Sequence, residues 1–534
     1  MFGIAISIGI YSYIIFLLAL LGFLNKKIIF LTTILYLVIL ILLRKKIYRK
    51  KVPSKEKKYS SLGVVEKSML LITLASAAVV LPGILSPEIA FDALWYHLTL
   101  PKIYINNSHM VFIPGGLLYY STMPKLTEML YTAALSFSDE RLAKAIHAGF
   151  GVLTVVATYM LTREYLEKRF ALLAVIILLG NIVLLWEATT AYIDLARTFF
   201  ELMSFWAFLK WYKTREKKWF IESAILMGLA ISTKLIAISS LIIISCMIWF
   251  LSKNATYWTR MKMIAQYSTI AIFIASPWFV FSFLHTGNPF YPLFSQYYQV
   301  NFSLSLINPF YFLKDVLLLF TQSPDPISPI YLILFPLIIV KRKSFNNEKA
   351  ILLVYSLVSL FVWYLLPRTG GGRFSLPYLP VYSLVAAMTI SLLPPKSFLS
   401  KYMIGIAIFL LIVAISYRGM ASTRYIPYIL RQESKHEFLI KNLNYSFGDF
   451  YDVDRFFARN INRFDKVLLY GFHNLYYVNF PFIHATWVRK GDLFNYIATQ
   501  NTTLPDRFQD WNLVYSNSLT RVNLYSKNGK FARY

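Results

Sequence analysis

The stretch FDALWYHLTLPK, from Phe91 to Lys102, gathers an acid (Asp92), two aromatics (Trp95, Tyr96), an imidazole (His97) and a cation (Lys102). All fall within roughly three helical turns, just after a long apolar run. A second acid, Asp194, follows the short connection EATTAYID, which opens with Glu187. Glu88 and Glu128 flank the first cluster. Basic residues on the same side of the chain's apolar runs are scarce: Lys102, Lys125, Lys234 in GLAISTKLIAISS, and Arg373 in RTGGGRFSLPYLP. A carboxylate within hydrogen-bonding reach takes the proton of a hydroxyl, or binds a metal ion. Cations neutralise a phosphate as negative charge builds on it. Few acids with few cations at a membrane boundary therefore suit group transfer from a lipid-phosphate donor, and equally the transport of an anion.

Each residue also has a plainer reading. Asp92 and Asp194 are well placed to cap the helices they precede. Trp95 and Tyr96 suit an interfacial aromatic belt. Lys234 can snorkel to the interface, and Arg373 can pair with carbonyls of its glycine-rich turn. Gly370–Gly372 can let the backbone approach a phosphate. Glu88, Glu128 and Glu187 read as solvated acids, and His97 and His285 as hydrogen-bonded structural histidines. No residue spacing matches a zinc site.

These residues hang on a chain built for lipid. Of 534 residues, 57% are hydrophobic and 15% charged, and runs of spanning length recur, so the chain is a polytopic membrane protein. The single cysteine, Cys246, excludes an intrachain disulfide. A net charge of +28 would suggest nucleic acid in a soluble protein. Here the basic residues concentrate in Arg44–Lys58, Lys213–Trp219 and Lys341–Lys349, and positive-inside bias accounts for them without a nucleic-acid partner. The first apolar run lacks a basic n-region and a small-residue cleavage site, so it reads as a span.

The periodicity predicts about thirteen helices, roughly at 2–24, 28–43, 67–85, 142–163, 170–186, 195–212, 219–234, 235–251, 263–284, 328–340, 350–366, 377–393 and 402–417. With Arg44–Lys58 in the cytoplasm, the N-terminus lies inside and the later basic clusters follow it. Segments 86–141, 285–327 and the tail from about residue 418 are then external. In the tail, GDFYDVDRFFARNI (Gly448–Ile461) has helical spacing, DKVLLYGF (Asp465–Phe472) reads as a buried strand, and WNLVYSNSLTRVNLYS (Trp511–Ser526) as a hairpin. The expected architecture is mainly α: a transmembrane helix bundle followed by a small extracytoplasmic α/β domain. Its divisions are 1–66, two extra N-terminal helices with a basic cytoplasmic loop; 67–417, the main bundle; and 418–534, the external domain. No internal repeat is evident.

An acid followed by YHL and PK, then AYIDLARTFF, STKLIAI, PWFVFSFLHTGNPFYP and RFSLPYLPVYSLVAA, come in the order usual for the GT-C class of integral-membrane glycosyltransferases, which the chain resembles. More narrowly, it looks like prokaryotic members related to the protein O-mannosyltransferases and the lipid A aminoarabinose transferases. The similarity covers roughly residues 67–395, most of the bundle. It implies a multi-pass enzyme of the cytoplasmic membrane, using a polyprenyl-phosphate-linked sugar on the external face with inversion. The family's catalytic acid matches Asp92, and its second acid matches Asp194, with Glu187 a weaker match. Many relatives carry another acid directly after the first; this chain has Ala93. On this reading Lys234 and Arg373, with Lys102 behind them, hold the lipid phosphate, while Trp95, Tyr96, His97 and His285 belong to the substrate pocket. The acceptor is a glycan, lipid or protein. A divalent ion (Mg or Mn), if used, would sit on Asp92, Asp194 or Glu187. The alternatives are a transporter or flippase of a lipid-linked saccharide or anion, an envelope polymerase or ligase of another membrane class, and a non-catalytic membrane scaffold. A transporter calls for ionisable residues near mid-membrane in two related halves.

Overall fold

The computed structural model describes residues 1–48, 63–299, 308–321, 326–366, 371–527 and 530–534. The basic block beyond Tyr48, and Gly370, lie outside the described residues. Every apolar run expected to span is helical. The bundle helices are α1 (Phe2–Leu20), α2 (Lys26–Tyr48), α3 (Val64–Leu85), α4 (Thr99–Asn107), α5 (Leu126–Phe137), α6 (Glu140–Tyr165), α7 (Lys168–Leu179), α8 (Ile182–Glu187) and α9 (Asp194–Thr214). They continue as α10 (Lys217–Thr233), α11 (Ile238–Leu251), α12 (Tyr257–Thr286), α13 (Pro309–Thr321), α14 (Ile330–Lys341), α15 (Asn347–Leu365), α16 (Leu379–Ser391) and α17 (Phe398–Ser422). Eight helices among the described residues are long and apolar enough to cross a membrane. The exposed side chains of α1, α2 and α17 are largely Leu, Ile, Phe and Val, as lipid-facing surfaces require.

The structure departs from the expected elements in four places. The run at 170–186 is two helices, because the chain breaks at Gly180 and Asn181. The buried Asn181 amide donates to the carbonyls of Ile177 and Leu178 and to the Tyr331 hydroxyl, and its Oδ1 accepts from Ser328 N. That satisfies the interrupted backbone inside an apolar bundle. Segment 285–327, assigned no helix from sequence, contains α13, whose Phe312 packs edge-on against Tyr364 of α15. Residues 377–393 form α16 preceded by a 3₁₀ turn, Gly371–Tyr378. In the tail, Gly448–Ile461 is helical only over Phe456–Asn460. There Asp452 accepts from the amides of Phe457 and Ala458, and Arg455 takes the left-handed conformation, so the helix cannot extend back.

At the centre stands α9, buried along nearly its whole length and packed by α6 and α10. Its Ser204 shares hydroxyl contacts with Ser223 of α10 and Tyr267 of α12, polar ties between helices that lipid cannot supply. On α10, Gly228 lets α12 approach: a Cβ there would lie 2.5 Å from Ile274 Cβ and 2.6 Å from the Ala271 carbonyl. α1 packs into the bundle through Tyr13, which bonds Ser232 of α10, and Phe16, which lies on Trp278 of α12. Helix direction sorts the loops. Because α9 starts at Asp194 and ends at Thr214, about 30 Å on, Lys213–Trp219 sits at the opposite end from Asp194. Lys213 bridges Glu348 at 3.5 Å, so Lys341–Lys349 lies at that same far end.

The near end carries segment 86–125 and a small α/β unit. Its five-stranded mixed sheet has the order β2-β1-β4-β6-β5, with β1 (Val467–Tyr470), β2 (Phe482–His484), β4 (Tyr496–Gln500), β5 (Asn512–Asn517) and β6 (Val522–Ser526). β1 pairs in parallel with β2 and β4, and β5–β6 is the expected hairpin. A separate two-stranded ribbon joins β3 (Leu493–Phe494) to β7 (Ala532–Arg533). Gly228→Ala should destabilise the bundle by about 1–3 kcal/mol through overpacking of α10 on α12. A fall in the thermal midpoint of the detergent-solubilised protein checks this, and an unchanged midpoint would contradict the packing.

Candidate active site

The site is assembled by hydrogen bonds between two loops. Glu88, read from sequence as solvated, is 1% exposed. One of its oxygens accepts from Ile89 N and Ala90 N, and the other from Ala191 N at 2.6 Å. It thereby staples the turn before Asp92 to the connection before Asp194. Tyr192 repeats the tie: its hydroxyl accepts from Asp92 N at 3.2 Å, while its carbonyl receives Tyr131. His147 fixes the same connection from α6. Its Nδ1 faces the Glu187 and Thr190 carbonyls, so its Nε2 accepts from Leu195 N at 3.1 Å. Burial drives the other acids inward too: Glu128 and Glu187 are 2% and 0% exposed.

Neither aspartate caps a helix through its side chain. Asp92 leads into a single π-helical turn, Ala93–His97, an irregularity frequent at functional sites. Its Oδ2 meets Arg373 Nη1 at 2.7 Å. Asp194, at the first turn of α9, meets Lys234 Nζ at 2.7 Å through Oδ1, and its Oδ2 lies 4.0 Å from Arg373 Nε. Lys234 is extended backbone between α10 and a 3₁₀ turn at Leu235–Ala237, which turns its side chain back over α9. Both cations lie against aromatic faces, Arg373 on Tyr192 (5.1 Å) and Lys234 on Phe374 (5.2 Å). Asp92 and Arg373 are each 16% exposed and Lys234 is 18%, whereas Asp194 is 1%. The four thus form one chain, Asp92–Arg373–Asp194–Lys234, partly open to solvent at both ends, with Asp194 buried.

Aromatic rings wall the Asp92 end. Tyr96 stacks on Tyr120 at 4.2 Å, and Trp95 is edge-on to both, with its Nε1 donating to the Leu117 carbonyl. Burial, then the neighbouring Asp92 carboxylate, pushes the Tyr96 phenol well above its ordinary value, keeping it a hydrogen-bond donor. The remaining candidates have other work. His97 is buried against Glu128 at 2.9 Å. Lys102 points away, donating to the Tyr476 and Val478 carbonyls and to Asn479 Oδ1 at 2.7–2.8 Å, and so clamps the α/β unit. His285 lies between Phe281 and Phe112 with Nδ1 on the Phe281 carbonyl. None of these three joins the carboxylate chain. Glu88, Tyr192 and His147 were missed as positioning residues; their pairings are set by tertiary contacts, and only their burial-averse residue types hinted at a role.

As arranged, the carboxylates do not fit a divalent ion. A guanidinium lies between Asp92 and Asp194, an ammonium takes the remaining near oxygen, and Glu187 faces His147 at 3.8 Å. Among the described residues, no three His, Cys, Asp or Glu side chains stand close enough to share a metal. One step deeper, Arg197 pairs with Glu201 at 2.5 Å, itself held by Ser240.

Residues 131–281, from α5 to α12, match the family model described as dolichyl-phosphate-mannose-protein mannosyltransferase. No curated protein matches the chain. Among solved structures, ArnT from Cupriavidus metallidurans bound to undecaprenyl phosphate is similar over 87% of this chain and 98% of its own, with 13% identity and a TM-score of 0.58. Its apo form gives 14% identity, 86% and 98% coverage, and a TM-score of 0.58. At such identity the likeness carries the fold, and the matched family segment contains Asp194, Lys234 and the helices that hold them. Residues 131–281 thus carry a segment of that mannosyltransferase family, and the chain is a multi-pass membrane protein with the fold of ArnT.

Proposed function

We propose that the chain transfers a sugar from a polyprenyl-phosphate-linked donor to an acceptor hydroxyl, with inversion, on the external face of the cell membrane. The observation that carries this reading is the Asp92–Arg373 contact at 2.7 Å. It sets a carboxylate able to take a proton beside a guanidinium whose planar fork matches phosphate oxygens. Donors of the bound kind are supported by the ArnT complex, which holds undecaprenyl phosphate. The external placement rests on charge: Lys213–Trp219 and Lys341–Lys349 lie at the end opposite Asp194, as positive-inside bias demands of a cytoplasmic end.

The reaction then runs in one displacement. An acceptor oxygen bonds the anomeric carbon while its proton passes to an Asp92 carboxylate oxygen. The bond from that carbon to the phosphate oxygen breaks, and its electron pair leaves on the lipid phosphate. Attack and departure on opposite faces invert the anomeric centre. Arg373 and Lys234 stabilise the growing charge on the phosphate in a site sheltered from water. Asp194 holds both cations in place, a positioning role rather than contact with the acceptor. In the absence of donor, Arg373 neutralises Asp92. A phosphate that takes over the guanidinium releases the carboxylate, so the base is freed only when a donor is present.

Three outcomes check this reading. With membranes and a panel of radiolabelled polyprenyl-phosphate sugars, Asp92→Asn should lower the rate of transfer about a hundred- to ten-thousand-fold while donor binding persists; full activity in the folded variant would remove Asp92 from the role of base. Arg373→Gln should lower kcat by about a hundredfold or more and weaken donor binding, and unchanged donor affinity would place the phosphate elsewhere. A reporter fused after Tyr534 should lie outside the cytoplasm, and a cytoplasmic signal would reverse the topology.

A further inference from the structure

The α/β unit brings His473 to the aromatic wall beside Asp92. His473 follows the carboxyl end of β1, the central strand of three parallel ones, where open parallel sheets place their ligands. Its imidazole stacks on Phe91 at 4.8 Å and an interplanar angle of 25°, and lies 4.5 Å from Trp95. Phe91 immediately precedes Asp92. The backbone is shaped for this approach. Gly471 has φ +77 and sits so close to Gln500 that a Cβ would lie 2.0 Å from its carbonyl, and a Cβ on Gly448 would lie 2.7 Å from His473 Cβ.

The ring is also oriented electronically. Asp449 accepts from Asn474 Nδ2, so the Asn474 amide turns its oxygen to His473, where Nδ1 stands 2.9 Å away. Asn474 is 1% exposed and cannot swing elsewhere. Nδ1 therefore carries the hydrogen, and in the neutral ring Nε2 is an acceptor. Among the described residues Nε2 has no hydrogen-bond partner, although His473 is only half-buried. Phe91, 39% exposed, and Tyr297, 38% exposed and stacked on Tyr119, offer apolar faces along the same wall.

From this geometry we propose that His473 Nε2 accepts a hydrogen bond from a hydroxyl of a saccharide acceptor held against the aromatic wall beside Asp92. The inference rests on the transferase reading above for the identity of its ligand as an acceptor. It makes the α/β unit part of acceptor selection: an apolar wall takes the ring face of a sugar, and one oriented acceptor atom selects its hydroxyl.

Saturation-transfer NMR on the full chain in detergent tests it, with a panel of methyl glycosides of hexoses and pentoses as probes and undecaprenyl phosphate binding measured in parallel. His473→Phe keeps the stack on Phe91 and removes Nε2, while His473→Gln keeps an acceptor near that position. At least one glycoside should bind wild type, bind His473→Phe about tenfold more weakly, as loss of one hydrogen bond implies, and bind His473→Gln nearly as wild type. Undecaprenyl phosphate should bind all three alike. Equal glycoside binding by wild type and His473→Phe, or none by wild type, overturns the proposal. Glycoside binding through His473 in a protein that does not bind undecaprenyl phosphate would leave this site standing and bring down the donor reading.

Discussion

A guanidinium set between two carboxylates governs this end of the molecule. Ionised groups at the depth of a bundle end are costly unless paired and hydrogen-bonded. Asp92 and Asp194 with Arg373 and Lys234 cancel in charge, and the aromatic faces of Tyr192 and Phe374 cover the cations. Such pairing demands that four separate parts of the chain meet within ångströms. Glu88 and Tyr192 tie backbone to side chain across the gap between segment 86–92 and the start of α9, and His147 fixes the latter from α6. Remove the alignment and each charge is left buried alone.

Behind the charges stands a scaffold that does not depend on hydrophobic force between helices. In lipid, packing and interhelical hydrogen bonds do that work. Gly228 brings α10 and α12 into contact, Ser204, Ser223 and Tyr267 tie three helices, and Asn181 mends the break between α7 and α8. The result holds α9 rigid, and Asp194 at its end inherits that rigidity. The α/β unit is fastened rather than tethered. Lys102 holds three acceptors in it, and the buried Glu140 receives Tyr476, Tyr477 and Lys435. An acid kept 2% exposed beneath that seam, with three partners from the unit, marks the docking as specific. A lysine expected to meet phosphate and an acid at the head of α6 thus serve the same joint.

Much of this was legible in the residues. The spans could be read because a bilayer imposes a length on every apolar run, and all of them are helices. The strand at Val467–Tyr470 follows from a short continuous apolar run, and the hairpin of β5 and β6 from local patterning. The four members of the charge chain stood out because ionisable residues at a membrane edge are rare. His97, Lys102 and His285 stood out for the same reason and are occupied with Glu128, the α/β unit and Phe281. Rarity flags a residue as needing a partner, and says nothing about which partner.

The sequence by itself determined most of the helices, their order, and the end of the bundle that bears the acids. It did so because hydropathy and the cost of charge are properties of each residue and its near neighbours. Only the tertiary structure decided that Arg373 lies between Asp92 and Asp194, that Glu88 is a buried staple, and that His473 arrives from the far end of the chain to lie on Phe91. Those contacts join residues separated by a hundred positions or more. Their geometry follows from the packing of the whole bundle, to which no local pattern is sensitive.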